Sequence, residues 1–553
     1  MEQRVEFKAR KRQFLPPDFV RAMLAGHSAL GLAFAALIYV VCLSGTVCVF
    51  VLELQRWEQP DAPYVTRALT PDEVGAALRA GQAQALADNA AHDLFIGGPN
   101  PATPRFSVNY HDHETGAEGS WLADADGRLA ARVKAPFSEF IGALHMELHL
   151  PRTWGRFIVG LTGVALLSSL ISGLLSHPRI FKDAFSLRWG GSRRLQEADL
   201  HNRLGVWGLP FHVVVSLSGA LLGLSTLIVG VLALAAYNGD SVEAFAAILG
   251  PRASADETAA PIPDVAAMIR HVEAQRPGAV FTSVHIDHIG KSGQVVHLGM
   301  RTPGHLAMAN HYYFKGDGTP LGDGGLETGG VGQQILGVLQ PLHFGWFGGY
   351  PVKIAYGVLG LALTIITHTG VTIWLARRRD KGRPVPHWER IWAAVGWGQP
   401  VAIAASGIVA LYAGASFVLG TYLATVVAAL LMAAVMPSAA ATAAVLRLSG
   451  AAVFIGLVGV HAALWVGRIG DPMAWIVDGA LLAIAACLAM PLARRTRGRP
   501  LGPAPRLVVG EDRPSSRDYQ TGRPQTTFRR DRARQLYIRG LLCSKASNRS
   551  STT

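Results

Sequence analysis

A chain of 553 residues, half of them hydrophobic and only 16% charged, has the composition of a polytopic membrane protein rather than a soluble multidomain enzyme. Its net charge of +13 would suit nucleic acid, but the basic residues gather at the ends of apolar runs, so no nucleic-acid partner is expected. Four cysteines without a C-x-x-C or C-x-x-C-H motif argue against a thiol redox pair, an iron–sulfur cluster and covalently attached haem.

Residues 1–25 read as a basic, amphipathic cytoplasmic lead-in. Apolar runs follow near 27–50, 157–176, 206–236, 354–375, 391–411, 414–436, 448–467 and 474–493. Each reaches the ~20 residues that a bilayer crossing needs, which predicts about eight spans. The first run lacks a small-residue cleavage site near Cys48-Val49-Phe50 and reads as a retained anchor. Basic clusters precede the first span (Lys8, Arg10, Lys11, Arg12, Arg21) and join the second to the third (Arg179, Lys182, Arg188, Arg193, Arg194, Arg203). Others follow the fourth (Arg377, Arg378, Arg379, Lys381, Arg383, Arg390) and the eighth (Arg494, Arg495, Arg497, Arg499). The positive-inside rule then sets both termini in the cytoplasm of a multi-pass inner-membrane protein.

The two long connections, about 51–155 and 237–353, accordingly face outward, into a periplasm. In the first, a helix from Pro71 to Ala87 precedes strand-like Phe106-Ser107-Val108-Asn109-Tyr110, then Trp121-Leu122 and the turn at Asp124-Ala125-Asp126-Gly127. In the second, a helix from Val265 to Gln275 precedes strands over Ala279–Ile286, Val295–Leu298 and His311–Phe314, ending in Lys315-Gly316-Asp317-Gly318. Each loop reads as a small α+β domain. Residues 390–495 form an accessory bundle of four Ala/Leu/Val-rich spans, and 500–553 a disordered cytoplasmic tail.

The chain repeats itself. His27, Leu30, Gly31, Val40, Val41, Leu43, Ser44 and Gly45 match His201, Leu204, Gly205, Val214, Val215, Leu217, Ser218 and Gly219 at one offset. Leu144-His145 with Gly160, Gly163 and Gly173 parallels Leu342-His343 with Gly357, Gly360 and Gly370, with one gap. This reads as an internal duplication of helix, long loop, helix, covering 26–180 and 195–380.

Histidine is the informative side chain, with 19 in the chain and many in or beside the first four spans. Two helices that offer one imidazole each can hold a b-type haem without covalent attachment. Glycines on those helices let backbones approach or make room for a flat macrocycle. By depth, His145, His149 and His343 lie at the outer edge and His27, His177 and His201 at the inner edge. His212 and His368 lie deeper. Symmetric pairing would join His145 to His343 and His27 to His201, and a rival inner pairing would use His212 with His177 or His368. His387 and His461 read as structural. In the loops, His111 and His113 flank Asp112, and His285 and His288 flank Asp287; either group could bind a metal, although solvated polarity is the plainer reading. Gly290-Lys291-Ser292 copies the end of a P-loop, but its first glycine position is His285.

Taken together, His27-x-x-Leu-Gly, Leu144-His145, Ile171-Ser172-Gly173 to His177-Pro178-Arg179, Asp199-Leu200-His201 to Gly205, and Leu342-His343-Phe344-Gly345 resemble the PepSY-associated transmembrane family over roughly 18–380. The resemblance implies a four-span, iron-regulated bacterial inner-membrane protein with periplasmic PepSY-like domains. Some members are similar to siderophore–iron reductases that hold two b haems between helices. It further implies haem ligation at His145, His201, His212 and His343, with His27, His149 and His177 as further candidates. The four spans after Arg390 depart from that pattern. The expected function is transmembrane electron transfer from a quinol or a cytoplasmic reductase, through two b haems, to a ferric siderophore outside. The rival expectations are a non-enzymatic siderophore-uptake or permease accessory and a PepSY-type regulator of a peptidase.

Overall fold

The structure is a computed structural model and describes residues 15–90, 92–100, 102–177 and 193–497. Most of the basic lead-in, the connection holding Arg179, Lys182 and Arg188, and the 500–553 tail lie outside the described residues.

The chain opens with helices α1 (Pro17–Ala33), α2 (Ala35–Cys48) and α3 (Val51–Glu58). Helix α4 (Pro71–Ala87) and strands β1 (Asp93–Gly97), β2 (Phe106–His111), β3 (Glu118–Ala123) and β4 (Leu129–Arg132) fill the first long connection. Helices α5 (Pro136–Met146) and α6 (Arg152–Leu175) return through the apolar layer. The order then recurs. Helices α7 (Arg193–Trp207), α8 (Leu209–Gly223), α9 (Ser225–Ala236) and α10 (Ser241–Leu249) lead to α11 (Val265–Gln275). Strands β5 (Val280–Asp287), β6 (Val295–Arg301), β7 (Asn310–Lys315) and β8 (Pro320–Asp323) come next, followed by α12 (Val331–Phe344) and α13 (Gly349–Asp380). The last four helices are α14 (Pro386–Ala413), α15 (Val418–Val435), α16 (Ala439–Trp465) and α17 (Met473–Arg497).

Six helices among the described residues are long and apolar enough to cross a bilayer, and three sharply bent pairs raise the number to nine if each pair is one span. The run 206–236, expected as a single crossing, is cut at Gly208 and Leu224. Pro210, in the first turn of α8, has no N–H to extend α7, and its ring crowds the preceding turn. The α1–α2 pair bends by 70° and the α7–α8 pair by 71°. Phe34 and Gly208, at the two bends, stand at the same offset that separates His27 from His201. Phe50 and Leu224, which break the chain a second time, stand at that offset too. The bent pairs are woven between the two long helices: α1 packs on α6 and α2 on α13, whereas α7 packs on α13 and α8 on α6.

The two long connections do not fold as separate sheets. Their strands join in one antiparallel eight-stranded sheet, ordered β4-β3-β2-β1-β5-β6-β7-β8. The seam is β1 against β5, with Asp93 opposite Asp287 and Phe95 opposite His285. Strand alternation gives this sheet two unlike faces. One face, with Leu94, Ile96, Val108, Val284, Ile286 and Leu298, packs under α4 and α11 in a single core. The other carries Asp93, His111, His285, Asp287, His297 and His311. Helix α4 starts on a reciprocal cap between Thr70 and Glu73, and Asp264 caps α11; caps of this kind contribute about 1 kcal/mol each.

Candidate functional site

Two cavities of about 350 and 340 Å³ lie one behind the other along α6. Gly163 lines the first and Gly173 the second, which places them about 15 Å apart at 1.5 Å per helical residue. The first, nearer the sheet, is walled by Gly45, His145, Arg156, Gly163, Gly219 and His343, among others. The second is walled by His27, Gly173, His177, His201, Gly370 and Arg377, among others. Ile38, Leu166 and Leu363 line both and form an apolar septum between them.

One local device positions the four paired histidines. The Nδ1 of His145 donates to the Val41 carbonyl at 3.0 Å, that of His27 to the Ser169 carbonyl at 2.8 Å, and that of His201 to the Ile366 carbonyl at 3.0 Å. The Nδ1 of His343 lies 3.0 Å from Ser218 Oγ and faces the Val215 carbonyl. Ser218 spends its own proton on the Val214 carbonyl, so it accepts from His343. Four residues after each of these carbonyls stands a glycine: Gly45, Gly173, Gly370 and Gly219. A Cβ on these glycines would lie between 2.6 and 3.3 Å from Cε1 of the imidazole. The bare glycine therefore lets each ring lie flat against the neighbouring helix, where the carbonyl holds its N–H.

This arrangement fixes the tautomer. A carbonyl only accepts, so the proton is on Nδ1 and the lone pair is on Nε2. None of the four Nε2 atoms takes a hydrogen bond among the described residues. His145 and His343 have ring centres 6.2 Å apart with planes 20° apart. His27 and His201 are also 6.2 Å apart, with planes at 77°. Two imidazoles on opposite faces of one metal ion, each bond about 2 Å long, hold their ring centres roughly 6 Å apart. Among the groups that take two opposed imidazoles, haem also needs a flat slot, and glycines line both cavities: Gly45, Gly163 and Gly219 the first, Gly31, Gly173, Gly205 and Gly370 the second. The residues present fit that group in donor set, spacing and shape.

The remaining sequence candidates fall elsewhere or in secondary roles. His177 lines the second cavity as a third imidazole. His149 turns away: its Nε2 bonds the Phe140 carbonyl at 3.0 Å and its ring stacks on Phe140. His212 is fully buried, outside both cavity linings. The Leu359 backbone faces it without hydrogen-bond geometry at either ring nitrogen. His368 stacks on Trp392 against Gly396, so the structure does not pair it with His212. His461 is held between Asp478 and the Trp57 carbonyl. His387 sits beside Arg390. The loop groups around Asp112 and Asp287, read separately in the sequence, meet across β1.

The helices and cavities define a multi-pass membrane protein whose polar chemistry is concentrated in two stacked, histidine-walled chambers. Residues 24–377 match the PepSY-associated TM region family, and the chain belongs to it. An uncharacterized protein of Pseudomonas aeruginosa is 32% identical over 235 residues, covering 40% of this chain. The match spans 60% of that relative's own length.

Proposed function

We propose that this protein carries electrons across a bacterial inner membrane through two b-type haems and reduces a ferric siderophore at the sheet side. One observation carries the reading. Four imidazoles, in two pairs of equal separation, each have Nδ1–H tied to the opposing helix and the Nε2 lone pair left over. Side-chain packing alone has no need to repeat that pattern four times at matched positions of a duplicated core.

His145 and His343 would hold the outer group and His27 and His201 the inner one. A bound haem supplies one-electron redox chemistry at its iron. The chain's own residues do the rest. The carbonyls of Val41, Ser169 and Ile366, with Ser218, orient the ligands and keep them basic. Ile38, Leu166 and Leu363 keep water out of the interval between the chambers. Arg156 and Arg377 bring one cation to each chamber, suited to the carboxylates of the macrocycle. His177 stands at the inner chamber as a proton carrier or alternative ligand. Reduction of the chelated iron from Fe(III) to Fe(II) weakens its hold by hard oxygen donors and frees the metal for uptake. The electron donor, a quinol or a cytoplasmic reductase, approaches the His27–His201 side.

The test is a reduced-minus-oxidised visible spectrum of the detergent-purified chain from haem-replete cells, with haem counted per chain. Sharp α-bands and about two haems per chain are expected. Each pair variant, His145→Ala with His343→Ala or His27→Ala with His201→Ala, should lose about half the haem. A folded, colourless protein overturns the proposal and leaves the uptake-accessory and peptidase-regulator readings in front.

A further inference from the structure

The polar face of the sheet ends in a cluster that the membrane chambers do not use. At the seam, Asp93 of β1 lies between His111 of β2 and Asp287 of β5 in the strand register. His92 and His288 flank the same corner, their ring centres 4.2 Å apart and nearly perpendicular. One donor atom from each of His92, Asp287 and His288 falls within 4.8 Å of the others, and all three side chains are partly buried. The Nδ1 of His92 donates to Asp93 at 3.1 Å, which leaves Nε2 unprotonated in the neutral ring. His288 has Nδ1 buried without a hydrogen-bond partner among the described residues, and its Nε2 is 4.0 Å from Asp287. Its backbone is left-handed, at φ 58°, a conformation that non-glycine residues adopt at a cost and that recurs at ligand sites.

We propose that this corner binds one divalent first-row transition-metal ion through His92, Asp287 and His288, with Asp93 as the positioning residue for His92. Two imidazoles and one carboxylate are the donor set of open, borderline-metal sites. The His92–Asp93 contact is the carboxylate–histidine arrangement that orients a ligating ring. An ion with bonds of about 2.1 Å wants its donors roughly 3.0–3.4 Å apart, so side-chain rotation must draw together donors that now lie within 4.8 Å of one another. Exposed His113 donates from Nε2 to the other carboxylate oxygen of Asp93 at 3.1 Å. The site exists only when the two long connections share a sheet, because His92 and Asp93 come from the first and Asp287 and His288 from the second. The inference is independent of the haem reading.

The experiment is equilibrium dialysis of the full chain in detergent, affinity tag removed and chelator-stripped, against Zn(II), with bound metal counted per chain by mass spectrometry. One zinc per chain is expected, with affinity at least tenfold weaker in His92→Ala and His288→Ala and about tenfold weaker in Asp93→Asn. His305→Ala, an exposed histidine outside the cluster, should keep the ion. Circular dichroism reports whether the sheet is intact; if His288→Ala unfolds it, Asp287→Asn replaces that variant. Zinc held by the membrane histidines would survive His92→Ala, so this result does not depend on what fills the chambers. No zinc on the wild-type chain, or undiminished zinc on folded His92→Ala and Asp287→Asn, overturns the site. Tighter Mn(II) than Zn(II) overturns its imidazole assignment, because nitrogen donors favour zinc.

Discussion

The helices around the two chambers and the four helices after Arg390 lie in the same apolar layer but use their polar residues in opposite ways. Around the chambers the helices are broken at Phe34, Gly208, Phe50 and Leu224, and the imidazoles present lone pairs to open volume. In the last four helices the buried polar side chains His461 and Asp478 are spent on each other and on Trp57. His461 lies between Asp478 and the Trp57 carbonyl, and Trp57 donates to Asp478 at 2.8 Å. Gln399 accepts from Tyr422 at 2.5 Å. Short helix α3 fastens the two regions together: Arg56 makes a two-pronged contact with Asp471, both bonds at 2.7 Å, and Lys353 holds both oxygens of Glu53 at 2.6 Å. The bundle thus ties its buried histidine into a closed network, whereas the paired chamber imidazoles leave Nε2 without a hydrogen bond among the described residues, as the proposed function requires.

The largest effect should come from the chamber side of that contrast. On the proposed function, His343→Ala removes one of two ligands from the outer pair; outer haem and ferric-chelate reduction should then fall more than tenfold, while the thermal transition of the folded chain moves little. Absorption and a chelator-trapped Fe(II) assay read the two quantities. On the fastening side, Asp471→Asn leaves Arg56 buried without its charge partner, and breaking such a pair costs about 3–5 kcal/mol. Thermal unfolding in detergent should register that loss with the chamber spectrum unchanged below the transition. Equal spectral damage from Asp471→Asn and His343→Ala would erase the distinction between the regions.

Glycine variants sharpen the comparison by degree. A methyl at Gly45 would sit 2.6 Å from Cε1 of His145, and one at Gly370 would sit 3.3 Å from Cε1 of His201. On the proposed two-haem reading, Gly45→Ala should therefore shift the outer group's potential or occupancy more than Gly370→Ala shifts the inner one, read by redox titration. Identical responses would mean the rings are not held by these contacts. The smallest effect belongs to the sheet. Burial, with His285 nearby, lowers the His297 pKa to about 4. The unfolded chain therefore takes up this proton first as pH falls, so stability is full above about 6.5 and declines toward 4. His297→Phe should make the acid limb of the unfolding curve shallower, while losing near neutrality the bond from Nε2 to the Pro251 carbonyl, worth about 1 kcal/mol.

Much of this was legible in the sequence because it repeats at short range. Hydropathy marks the apolar layer, and the matched offset of His27 with His201 and of His145 with His343 already suggests which rings could meet. The carbonyls that fix their tautomers were not legible, since a backbone oxygen carries no letter. A glycine four residues after each carbonyl is the trace they leave. Nor did alternation in the strands reveal that β1 pairs with β5 across the whole of α5 to α11, because long-range register is set by tertiary packing rather than local pattern. The break at Gly208 had a cue in Pro210, but Phe34 bends without a proline or glycine beside it. The partners of His461 came from helices distant in sequence, which depth alone could not foresee.

The shared sheet also bears on how such a molecule can move. Transport proteins built from two related halves commonly work by rocking one half against the other around a fixed site. Here the halves are stitched edge to edge through five residue pairs, Asp93↔Asp287 to Gly97↔Ser283, above helices that interlace. Rocking would shear that ladder and its buried core. That restraint agrees with the proposed function: a stationary relay needs cargo light enough to pass without any part of the protein swinging open.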